Sequence, residues 1–294
     1  MRLRIDLAYD GGDFNGWATQ PGLRTVQAEV TAALATSLRV PADGGPEGTD
    51  RVRVVCAGRT DTGVHARGQV CHVDLAPERV ERAAPQGPHR LVRRLNGILP
   101  ADIRVRRVAT APHGFDARFS ALWRRYTYRV ADAPVLLDPL TRGHVLTSPR
   151  ELDTTAMDAA ARVLVGRHDF ASFCRKRAGA TTIRTLLDLD VGREPGGLVE
   201  FRVRADAFCH SMVRSLVGSL IAVGEDRQAG SFPAELLELR RRDPRLSVAP
   251  ARGLTLEEVA YPDDDALAER AEQTRARRTL EDVEDRTHPG DPAR

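Results

Sequence analysis

The sequence predicts an α+β protein made of two similar halves, each in the order β-α-β-β-α-β. Three observations carry this. Short stretches alternate apolar and polar residues with period two, and longer stretches repeat apolar residues at helical spacing. The two kinds follow one another in the same order twice along the chain. The length of 294 residues and a hydrophobic share of 41% suffice for two units with packed cores.

In the first half, residues 2–10 alternate as a strand. "TVQAEVTAALATSL" (25–38) has the spacing of an amphipathic helix, with Thr25 placed to cap it. Residues 51–57 and 69–75 read as strands around a polar loop. "PHRLVRRLNGIL" (88–99) reads as a helix and 102–109 as a strand. In the second half, "RRYTYRVA" (124–131) is a strand and "ELDTTAMDAAARVLVG" (151–166) a helix closed by glycine. Residues 183–192 and 198–206 are strands joined by the turn "REPGG". "HSMVRSLVGSLIAVG" (210–224) is a helix, "PAELLELRRR" (233–242) an extra one, and "LTLEEVAY" (254–261) the last strand.

Each half is thus expected to be a ferredoxin-like sandwich. If the sheets join into one antiparallel sheet, helices cover one face and the open faces form one broad groove. The expected division is 1–112, 113–262 and a charged tail, 263–294, disordered or peripheral because it has few large apolar side chains. The segment 40–50 reads as a Gly/Pro-rich loop.

Composition narrows the class. No run of about 18 apolar residues exists, so no membrane-spanning helix is expected. The N-terminus alternates like a strand and lacks a signal-peptide core. Cys56, Cys71, Cys174 and Cys209 show no Cys-x-x-Cys spacing, which argues against a metal site or a disulfide framework and for a reduced, cytoplasmic protein. Net charge is +3, and Lys176 is the only lysine. A basic body with a mixed-charge tail points to a polyanionic partner.

The segment that fits no structural pattern is "CAGRTDTGVHARGQV" (56–70). Its glycines are spaced like the start of a phosphate loop, but Val64 and His65 follow where Lys and Ser/Thr belong. "GGDFNG" (11–16) likewise fails the dinucleotide-binding spacing. What remains is Asp61, crowded by Gly58, Thr60, Thr62 and Gly63 with Arg59 two residues before it. An aspartate in a turn ordinarily ties its own backbone. One surrounded by this many donors and by glycines stays ionised and serves as nucleophile or base. Tyr126 and Tyr128 alternate with Arg125, Thr127 and Arg129, so they share one face of a strand. Aromatics on an open sheet hold RNA bases, although a core role is the ordinary one. Arg214 interrupts the apolar run "MVRSLVGSL" and needs an anion, for which Asp61 is the candidate.

At these residues a family resemblance emerges. "YDGGDFNGWATQPGLRTVQ", "AGRTDTGVHARGQV", "RRYTYRV", "VGRHDFASF" and "FCHSMVRSLVGSL" occur in order and resemble tRNA pseudouridine synthases of the TruA type, from about Leu3 to Pro262. The resemblance implies that Asp61 is catalytic and that Tyr126 packs against the target base. It also implies that Arg214 pairs with Asp61 and that Arg59 helps displace the base. It implies uridines in the anticodon stem-loop of tRNA as substrate, a homodimer, an RNA-binding cleft opposite the helices, and no metal or cofactor. Ala18 departs from the family, which usually has Gln after Gly-Trp.

The chemistry agrees with the residues. Isomerising uridine breaks the bond from N1 to C1′, turns the base and rejoins it through C5, with no redox change. One carboxylate can serve the sugar, by attack or by removing a proton, and both routes stay open here. Two other readings compete. A non-catalytic RNA-binding protein could share the β-α-β-β-α-β order, but the aromatic-rich strand of an RNA-recognition motif is missing. A nucleoside hydrolase would need a second acid or an Asp-rich metal cluster. His65 reads as a loop organiser. The pair His168–Asp169 reads as a cap on "FASF", with Arg175, Lys176 and Arg177 as phosphate contacts. His210 stands at helical spacing from Arg214 and reads as facing RNA or the helix start.

Overall fold

The computed structural model describes residues 1–40, 52–175 and 181–275. The first half comprises β1 (Arg2–Tyr9), α1 (Val26–Leu38), β2 (Val55–Cys56), β3 (His65–Asp74), α2 (Pro77–Ala83), α3 (Leu91–Ile98) and β4 (Ile103–Thr110). The second comprises β5 (Trp123–Ala131), β6 (Leu146–Thr147), α4 (Thr154–Ala161), β7 (Gly166–Asp169), β8 (Ile183–Arg193), β9 (Val199–Ala205), α5 (Met212–Gly224), α6 (Phe232–Leu239) and β10 (Leu254–Ala260). A further helix, α7, spans Leu267–Arg275.

The strands form one sheet in the order β4-β1-β3-β10-β5-β9-β8-β7, with β2 on β3 and β6 on β5. Each half therefore keeps the ferredoxin-like arrangement, and the sheet is mostly antiparallel. Its seam is a parallel step, His65 opposite Thr255 and Ala66 opposite Leu256. Here β3 divides its partners. Its beginning pairs with β10, and its later part pairs with β2 through His72 and Cys71. The strand expected from residue 69 accordingly starts at His65, because a segment far away in sequence supplies the hydrogen bonds. Gly68 permits this approach, since a side chain there would overlap the Glu257 carbonyl.

Register fixes the core. Directly opposed residues share a face, so Tyr9, Ala66, Leu256, Tyr126, Val203 and Leu189 line one side of the sheet from β1 to β8. All are buried. Helices α4 and α5 pack against each other and α4 lies over β8, while α1 packs against α3. Burial of this face is the main driving force, at about 1.5–3 kcal/mol for each large side chain.

The opposite face is charged, and several of its arginines are engaged. Arg129 binds Glu200 at 2.7 Å and Glu257 at 2.9 Å, Arg67 binds Glu257 at 2.9 Å, and Arg125 binds Glu258 at 2.8 Å. Arg204 pairs with Asp188. The groove expected on this face is not where Asp61 lies. Register turns Tyr126 and Tyr128 toward the helices, and the loop with Asp61 lies over that same face.

Local chemistry explains the element ends. The Thr25 hydroxyl accepts from the Ala28 amide, as its capping role requires. The helix expected over 151–166 is shorter. Asp153 caps it by accepting from Ala156 at 2.9 Å, a tight turn follows Ala161, and Gly166 opens β7 rather than closing the helix. Helix α2 escaped the sequence reading because Val80 is its one buried residue. The tail expected to be peripheral begins as a docked helix. Leu267 and Ala271 of α7 are buried, and the Ser120 hydroxyl donates to the Leu267 carbonyl at 3.0 Å. The loop called at 40–50, apart from Val40, and the tail beyond Arg275 lie outside the described residues.

Candidate active site

The loop 57–64 is anchored residue by residue. The Ala57 amide donates to the Val70 carbonyl at 2.8 Å. The Gln69 side chain donates to the Gly58 carbonyl at 2.8 Å. The Thr60 hydroxyl meets the buried Tyr9 hydroxyl at 2.8 Å, and the Thr60 carbonyl accepts from the Trp17 amide at 3.1 Å. The Val64 amide closes a turn onto the Asp61 carbonyl at 3.1 Å, with Gly63 at φ +78° where glycine is at ease. The polar residues between the two strands are thus the fastenings of a rigid loop, and Asp61 is what it presents.

The Asp61 carboxylate crosses from the first half to the start of α5 in the second. The Ser211 hydroxyl donates to Oδ2 at 3.3 Å, His210 Nε2 lies 3.4 Å from Oδ1, and Arg214 Nη1 lies 3.5 Å from Oδ2. Its side chain keeps 26% exposure, so it remains open to a ligand. The positive end of the α5 dipole also favours an anion here. Arg214 is aimed by its other nitrogen, because Nε donates to the Ala249 carbonyl at 2.7 Å. Ser211 holds φ +65° and ψ 7°, a left-handed conformation uncommon for serine, and its hydroxyl faces Asp61 instead of capping the helix. The sequence signalled Arg214 as an arginine in an apolar run. Nothing in it marked Ser211.

A model of the tRNA pseudouridine synthase family matches residues 160–262. Across nearly the whole chain the similarity is stronger. A protein of Frankia casuarinae named tRNA pseudouridine synthase A is 58% identical over 276 residues, 94% of this chain and 95% of the relative. Relatives of the same name from Streptomyces griseus and Leifsonia xyli are 54% and 52% identical, each over 95% of this chain, and are covered over 95% and 98% of their own lengths. The chain belongs to the tRNA pseudouridine synthase A family.

Within that family frame, the other expected residues fall as follows. Tyr126 is buried at the floor beneath the loop, its ring edge-on to Phe208 with centroids 5.1 Å apart. Burial pushes its phenol far above the ordinary range, so it stays protonated and is not an anionic base. Tyr128 is a core residue, with its hydroxyl donating to the Pro250 carbonyl at 2.8 Å. Arg59 is exposed and makes no hydrogen bond or ion pair among the described residues. Cys56, at the head of the motif, is no rival nucleophile, because burial pushes its thiol up to about 12.

The histidines separate. His65 organises the loop base: Nδ1 accepts from the Gly11 amide at 3.0 Å and Nε2 meets the Arg252 carbonyl at 3.1 Å. It forms a group with Asp10 and His144 whose ligand atoms lie within 4.8 Å of one another. The sequence reading foresaw no such group. Within it, Asp10 Oδ1 lies 2.9 Å from His65 Nδ1. Asp169 caps the turn after it, accepting from the Ala171 amide at 3.1 Å and from the Thr182 hydroxyl. Lys176 and Arg177 lie outside the described residues.

The cysteines require a correction. Cys174 and Cys209 are joined by a disulfide. They are 35 positions apart, and the fold lays the turn after Phe173 beside the lead into α5, where the Arg175 amide donates to the His210 carbonyl at 3.0 Å. Spacing along the chain could not reveal that proximity. Among the described residues no helix is long and apolar enough to cross a membrane.

Proposed function

We propose that Asp61 is the catalytic carboxylate for isomerising uridine to pseudouridine in tRNA, the reaction that family membership gives this chain. The observation that carries the assignment is the convergence of Ser211, His210 and Arg214 on one partly open carboxylate. The Ser211 hydroxyl and the two neighbouring basic side chains aim it, as nucleophile or base chemistry at the sugar requires. The uracil ring, detached from C1′, turns within the cleft and rejoins through C5, and the C5 proton leaves to solvent. Tyr126 supports the ring from below. Arg59, with no partner of its own in the loop, enters the stack as the base leaves it, because extrusion costs a few kcal/mol. The targets are uridines of the anticodon stem-loop, the working unit is a homodimer whose clefts share one tRNA, the location is cytoplasmic, and no cofactor takes part.

The test is tritium release from tRNA labelled at C5 of uridine. Wild-type protein should release it, and Asp61→Asn should not, while tRNA affinity stays within about tenfold because phosphate contacts carry binding. Turnover by purified Asp61→Asn would remove the assignment. Binding by the wild type without any release would favour a non-catalytic RNA-binding protein.

A further inference from the structure

Arg124 is the second residue of β5, and it is buried at 6% exposure on the same face as Tyr126. Its guanidinium ends on three backbone carbonyls from three parts of the chain. Nη2 donates to Ala57 at 2.9 Å and to Arg118 at 2.6 Å, and Nη1 donates to Asp206 at 2.7 Å. Ala57 opens the loop that carries Asp61. Asp206 opens the segment that leads through Phe208 and Cys209 to His210 and Ser211. One side chain therefore fastens both strands of chain that meet at the Asp61 carboxylate, and ties each to the strand that supplies Tyr126.

We infer that Arg124 is a positioning residue for catalysis, a clamp that sets the distance between Asp61 and the start of α5. The inference rests on Asp61 being the catalytic carboxylate. A planar guanidinium suits the task because its donors diverge in a fixed fork and can serve several carbonyls at once. A lysine ammonium is a single point and cannot reach all three. The contacts of Asp61 with Ser211, His210 and Arg214 are all between 3.3 and 3.5 Å. At that spacing a small displacement of either segment separates the groups, and misplacement by about 1 Å can cost a hundredfold in rate.

Three variants test this, with single-turnover rate and tRNA affinity measured separately. Arg124→Met should lower the rate of the chemical step by about a hundredfold and change tRNA affinity by less than about threefold. Arg124→Lys should fall between it and the wild type. In Arg124→Ala, added guanidinium at millimolar concentration should restore part of the rate, and sodium at matched ionic strength should not. A residue that only stabilised the fold would show lost folded protein, with a normal rate per folded molecule and no rescue. If Arg124→Met fails to fold, Arg124→Lys and the rescue decide. A wild-type rate in Arg124→Lys together with no rescue would overturn the clamp. Asp61→Asn run in parallel keeps the two readings apart. If it turns over, the Asp61 assignment fails, and if it is dead while Arg124→Met is normal, only the clamp fails.

Discussion

Arg214 reaches Asp61 at 3.5 Å with one nitrogen while another donates to the Ala249 carbonyl at 2.7 Å. The backbone contact decides where the charge sits. Arg214→Met should cripple turnover, because the carboxylate loses the cation that faces and orients it. Arg214→Lys should be intermediate, since it keeps the charge but has one nitrogen for two tasks. Single-turnover rates measure this, and near-normal turnover in Arg214→Met would show that the pair has no role in the reaction.

Arg59 has no partner among the described residues, so its removal should leave the loop standing. Arg59→Ala should lose most activity on an anticodon stem with the target uridine paired. It should recover part of that activity when the target is mismatched, because less unpairing work remains. Equal losses on the two substrates would remove the extrusion role.

Asp132 and Arg193 form a two-pronged ion pair at 2.7 and 2.8 Å, with the carboxylate almost inaccessible. The Arg193 hydrogen bonds hold the Asp132 carboxyl below its ordinary range, against the opposing effect of burial. A depressed carboxylate stabilises the fold above its unfolded pKa, about 4, and loses that contribution as pH falls through its folded value. Arg193→Met should therefore cost about 2 kcal/mol at neutral pH. The gap to wild type should close in acid. Urea unfolding of both proteins at pH 7 and near pH 3 checks the sign.

Leu267 anchors α7 against the segment between β4 and β5, where Arg275 also meets Asp116 at 3.2 Å. Leu267→Ala should destabilise the protein by about 3 kcal/mol, as expected for a buried leucine. Arg275→Ala, which removes a half-exposed ion pair, should cost less than about 1 kcal/mol. A negligible effect of Leu267→Ala in chemical denaturation would mean that the helix does not stabilise the fold.

Much of this molecule was legible in its sequence. Alternation and helical spacing located the longer strands of the sheet and its long helices, though not the short β6 and β7, because each long element buries one face and its period records which residues do so. Thr25 announced its helix through its own hydroxyl. The loop at Asp61 stood out because polar residues and glycines between two apolar strands have no packing purpose. Tertiary structure decided what depends on distant partners. Strand β3 begins at His65 because β10 arrives beside it, and the tyrosines of β5 face the helices because register with β9 and β10 turns them there. The Cys174–Cys209 bond and the docking of α7 join segments whose spacing carries no signal. Ser211 and Arg124 are ordinary residues in the sequence. They gain their place from the fold, which brings the first half's loop to the second half's helix. Periodicity is a local property of the chain, and the meeting of those two segments is not.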